Sequence, residues 1–62
     1  MFKLIYYIFD SEHVFEATTM EEILSASLEA FNKNAELREI QKNGKLFHTS
    51  CEIYTLINKR IY

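Results

Sequence analysis

Proline and tryptophan are absent from this chain of 62 residues, and glycine and cysteine occur once each. A lone cysteine, Cys51, excludes an intrachain disulfide. A single glycine excludes Gly-rich phosphate cradles such as the Walker loop or the dinucleotide fingerprint, which need several. Net charge is only −2, which describes neither a DNA-binding polycation nor a strongly acidic DNA mimic. Long apolar runs are missing too. The richest stretch, Met1 to Phe9, stops at Asp10, about half the length that spans a bilayer, and no small-residue cleavage site follows. The absence of a targeting segment, together with one unpaired cysteine, points to the reducing cytoplasm.

What is present supports a core. Apolar residues make up 48% of the chain and include five Phe and four Tyr, unlike the charged, aromatic-poor profile of disorder. The length predicts one domain, residues 1–62, burying roughly 60% of the surface its unfolded chain exposes. With no disulfide to help, a partner subunit is the expected source of added stability.

The only glycine follows Asn43, and Asn43-Gly44 lies between two strand-like runs, Glu36 to Lys42 and Lys45 to Thr49. Such a pair accepts the positive φ of tight hairpin turns, so it predicts a β-hairpin. A two-residue turn places Ile40 opposite Phe47, and a three-residue loop with a Gly44 bulge places it opposite Leu46. Phe2 to Phe9 is apolar on both faces, with Phe2, Leu4, Tyr6 and Ile8 on one and Ile5, Tyr7 and Phe9 on the other, which predicts a central strand. Asp10 to His13 supplies turn chemistry, and Val14 to Ala17 a short return strand.

Thr18 and Thr19 each have a glutamate three residues on, Glu21 and Glu22, the capping-box pattern in two registers. A helix follows, with Met20, Ile23, Leu24, Leu28 and Phe31 at core spacing and Asn34 as a left-handed stop. Thr49-Ser50-Cys51-Glu52 repeats the signature ahead of Ile53, Leu56, Ile57 and Ile61, predicting a terminal helix. The same residues also read as a strand through Cys51, Ile53, Thr55 and Ile57. The expected fold class is therefore α+β: an antiparallel sheet of three or four strands on one long helix, in the order ββαββ with a short C-terminal helix.

Chemistry-bearing residues are few. His48 and Cys51 have half-metal-site spacing, but with His13 the chain offers three N or S ligands where a structural zinc site takes four. Ser50 and Cys51 near His48 lack an orienting acid for nucleophilic catalysis. No enzyme activity, cofactor, small-molecule substrate or membrane contact is expected. Charge is lopsided: residues 1–31 carry −5 and residues 32–62 carry +3. Lys33, Arg38, Lys42, Lys45, Lys59 and Arg60 supply the cations for a nucleic-acid-binding alternative, with Phe47 or Tyr54 for base stacking.

The leading expectation is a protein-interaction module. One amphipathic helix cannot cover both apolar faces of the first strand, which leaves an aromatic surface drawn from Phe2, Leu4, Tyr6, Tyr7, Phe9 and Phe15. The terminal helix could cover the rest, and so could a second copy in a homodimer or a host protein held by a small regulator or inhibitor, the expected cover. Richness in Ile, Lys, Asn, Phe and Tyr, all with AT-rich codons, fits a low-GC bacterium or its phage.

Overall fold

The computed structural model describes residues 1–61, with side chains described through residue 59. Its elements run β1 (Phe2–Ile8), β2 (Ser11–Ala17), α1 (Met20–Asn32), β3 (Glu36–Lys42), β4 (Lys45–Thr49) and α2 (Ser50–Ile61). The four strands form one antiparallel sheet in the order β2-β1-β3-β4. This is an α+β fold of order ββαββα, with β1 interior as its apolar character on both faces predicts.

The first hairpin is longer than the sequence implies. Ser11, Glu12 and His13 are strand residues, paired with Ile8, Tyr7 and Tyr6, and the turn is only Phe9-Asp10. Polar residues are tolerated there because β2 is an edge strand with water along one side. Three more ladder pairs, including a Tyr6–His13 stack with ring centroids 5.4 Å apart, offset the cost of holding Phe9 at φ +56°. Phe9 therefore leaves the strand in which its apolar character places it.

The second hairpin turns at Asn43-Gly44, with φ of +53° and +81°, and Lys42 faces Lys45 across it. Of the two turn lengths open to the sequence the two-residue turn is the one formed, but neither expected partner of Ile40 is correct. A bulge between Gln41 and Ile40 sends Gln41 to Leu46 and Ile40 to His48, leaving Phe47 as the extra residue. A second bulge in β3 pairs Ile5 with Glu39 and Tyr6 with Leu37, so Arg38 is unmatched.

Thr19 caps α1: its hydroxyl accepts from the Glu22 N–H at 3.3 Å and donates to the Glu22 carboxylate at 3.1 Å. Asn34, at φ +63°, ends the helix in a Schellman motif, with Ala35 N–H on the Ala30 carbonyl and Asn34 N–H on that of Phe31. The buried stripe is Ile23, Ser27 and Ala30, one turn apart in succession. Leu24, Leu28 and Phe31 sit on its flank instead of its centre. Small residues win the centre because two helices and a sheet must approach closely there, and the Ser27 hydroxyl is satisfied by the Ile23 carbonyl at 2.8 Å.

The helical reading of the C-terminal segment holds, because Thr49 N–H donates to Glu52 at 2.8 Å and stops the strand at the cap. Ile53 and Ile57 then join Leu4, Ala17, Ile23, Ala30, Ala35, Leu37 and Ile40 in one buried cluster. The Tyr54 hydroxyl accepts from the Leu37 N–H at 3.1 Å, and its ring meets Phe31 edge-on at 5.9 Å. Residues from both helices share the cluster with Leu4, Leu37 and Ile40, so both helices cover the same face of the sheet.

Candidate interaction surfaces

Because α2 lies beside α1, the second sheet face carries no helix. Cross-strand partners share a face. One row reads Val14, Ile5, Glu39, Thr49, and the next reads Glu16, Lys3, Gln41, Leu46. Val14 and Leu46 are 51% and 62% exposed. Tyr7 continues the apolar strip toward the first turn, with the Arg38 guanidinium 5.3 Å above its ring and that guanidinium held by Glu36 at 3.0 Å. Gln41 ties to Glu39 at 2.8 Å. The open face carries an apolar cluster of Ile5, Tyr7 and Val14, with Leu46 apart on β4 beyond Glu39 and Gln41.

The six aromatic and apolar candidates do not form a single surface. Leu4 is fully buried and belongs to the core, because it faces the helices, and this corrects its assignment to an exposed patch. Tyr6 and Phe15 lie on the helix-covered face, Phe15 opposite Leu4 and still partly exposed. Phe2 packs 5.9 Å from Phe47 near the second hairpin. Tyr7 is on the open face, and Phe9 stands at the first turn, 96% exposed. The absent members are Ile5, Val14 and Leu46. Alternation with Leu4 and a two-residue first turn are the signals that place Ile5 beside Val14.

The basic candidates are dispersed. Lys33 lies 3.9 Å from Glu29 and Arg38 is paired with Glu36. Lys42 and Lys45 face each other across the hairpin, where the N-terminal ammonium donates to Asn43 at 3.1 Å. The Lys42 ammonium lies 5.6 Å from the Phe2 ring and 5.5 Å from that of Phe47, occupying ring surface that a stacked base needs. Lys59 is exposed on α2, and the side chain of Arg60 lies outside the described residues.

At the start of α2, His48, Cys51, Glu52, Thr55 and Leu56 line a shallow depression. Glu52 is held below the ordinary carboxylate value chiefly by the Thr49 N–H, with the Thr49 hydroxyl and nearby His48 adding and desolvation opposing. His48 Nδ1, buried without a hydrogen-bond partner, lies 3.9 Å from Glu52. His13 is on β2 at the opposite edge of the sheet, and no group of three metal-ligating side chains among the described residues is gathered. Cys51 is an exposed free thiol. No helix among the described residues is long and apolar enough to cross a membrane. Comparison with protein-family models, curated proteins and solved structures yields no match to this chain.

Proposed function

We propose that this chain is a non-enzymatic protein-interaction module, a small cytoplasmic regulator or inhibitor that works by occupying other protein surfaces. The observation that carries the reading is the uncovered sheet face, where Ile5, Tyr7 and Val14 are bordered by ordered polar groups, with Leu46 exposed on β4 beyond them, while both helices pack on the other side. Such a bordered apolar cluster is the anatomy of an interface centre with a polar rim. Cys51, exposed and unpaired, fits a reducing compartment.

A second copy of the chain is the occupant proposed for this face. Lys3 and Arg38 share it with a surplus of acids, Glu12, Glu16, Glu36 and Glu39, so the apolar residues and not charge would drive association with a second copy. A standard interface covers about 800 Å² per partner, which is about a fifth of this chain's 4318 Å². Sedimentation at micromolar concentration checks this. A 7.4 kDa species with a concentration-independent melting curve rejects the homodimer.

The nucleic-acid alternative draws on Lys42, Lys45 and the N-terminal ammonium at one hairpin tip. Pull-down from host lysate with and without nuclease separates the two. A nuclease-resistant protein partner supports the interaction module, and a nuclease-sensitive catch rejects it.

A further inference from the structure

The two sheet edges are unlike. β4 is five residues long, bulged at Phe47 and begins with Lys45, the features by which edges are blunted. β2 has seven residues paired in unbroken register with β1, carries no lysine or proline, and faces no further strand among the described residues. Its outer backbone N–H and C=O groups form a template for one more strand.

A groove accompanies that edge. α1 runs back along β2 and presents Ala26 and Ala30 where larger side chains would close the seam. Tyr6, Ile8 and Phe15 supply the floor, and Glu29 and Lys33 the rim. Toward the start of α1 the seam continues between Phe15, Ala26, Glu21 and Glu22. A strand added to β2 sends alternate side chains into this groove, and the others onto the opposite side next to Glu12, Val14 and Glu16.

We propose that the β2 edge and the β2/α1 groove bind an extended segment of a foreign protein in which apolar residues alternate with lysine or arginine. Apolar side chains enter the groove, and cations meet Glu12 and Glu16. Charge decides against a second copy here. The symmetric antiparallel pairing of β2 with itself sets Glu12 of each copy opposite Glu16 of the other. Glu21 and Glu22 add to the acidic surroundings, while Glu29 and Lys33 are paired with each other. The proposal rests on the interaction-module reading and names a partner class at the β2 edge, whose Glu12, Val14 and Glu16 also border the open face.

The test titrates the isotope-labelled chain with an acetylated eight-residue peptide of alternating lysine and valine, followed by amide chemical shifts and hydrogen exchange. We expect shifts over Ser11 to Ala17 and at Ala26, slowed exchange of β2 amides, and at least tenfold weaker binding of a glutamate–valine peptide. N-methylation of alternate peptide amides and the variant Glu12→Lys with Glu16→Gln each reduce affinity tenfold or more, whereas Leu46→Ser changes it less than twofold. No response of β2 at millimolar peptide overturns the proposal. So does concentration-dependent protection of β2 without peptide, which assigns the edge to a second copy. Shifts confined to Lys3, Gln41 and Leu46 also overturn it while leaving the interaction module intact, since that surface is the open face.

Discussion

Removing an aromatic ring from this small domain is expected to stabilise it, if the ring is that of Phe9. This residue occupies the first central position of the β1–β2 turn at φ +56°, a conformation that costs an L-residue about 1–2 kcal/mol. Nothing is recovered by burial, because the side chain is 96% exposed. Phe9→Gly removes the strain, and the added freedom of glycine in the unfolded chain takes back about 0.5–1 kcal/mol. The net gain is about 0–1.5 kcal/mol, which in a domain of this size raises Tm by up to about 12 °C. Phe9→Asn, which tolerates the left-handed region, also raises Tm. Thermal unfolding at low protein concentration measures this, and a Tm that falls in both variants refutes the reasoning: the ring is then buried in solution. If Phe9 contacts a partner, the stabilised variant binds less, a stability–function exchange common at exposed, strained residues.

Other outcomes follow from the same geometry. Ile23→Val costs about 0.5–1.5 kcal/mol in urea unfolding. Ile23→Ala costs more than Leu24→Ala, since Ile23 is fully buried and Leu24 only half-buried; equal midpoints for the alanine pair reject the helix face. Gly44→Val destabilises more than Lys45→Val. A Cβ at Gly44 meets no atom within 4 Å, so the loss is conformational, at φ +81°. Because the folded value of Glu52 is depressed, its contribution is present above the unfolded carboxylate value near 4.5 and is lost as pH falls through the lower folded value. Glu52→Gln therefore narrows the stability difference between pH 6 and pH 3, measured by urea midpoints, and an unchanged difference contradicts the cap.

Local chemistry was legible wherever a single residue type meets a single backbone need. Thr19 with Glu22, Thr49 with Glu52, Asn34 at positive φ and Asn43-Gly44 each act within a few residues, and all four are in place. The first turn was misplaced because Asp10 to His13 has turn composition, while cross-strand pairing of Tyr6 with His13 and Tyr7 with Glu12 extends the ladder beyond it. Ile40 was matched to the wrong residue because a bulge at Phe47 leaves no mark in the hairpin's sequence.

By itself the sequence marked the capping signatures, a second hairpin at Asn43-Gly44, the first amphipathic helix and an apolar central strand, since these depend on propensity and short-range spacing, whereas the C-terminal segment stayed open between helix and strand. The side on which α2 lies was decided only in three dimensions. Ile53 and Ile57 pack with Ile23 and Leu4, and that choice leaves Ile5, Tyr7, Val14 and Leu46 without a helix above them. Tertiary packing likewise buried Leu4 instead of exposing it, and left β2 with an open edge beside Ala26 and Ala30. Periodicity marks which residues of a strand or helix share a face, but which faces meet depends on how closely the elements approach, and here small residues on α1 set that distance.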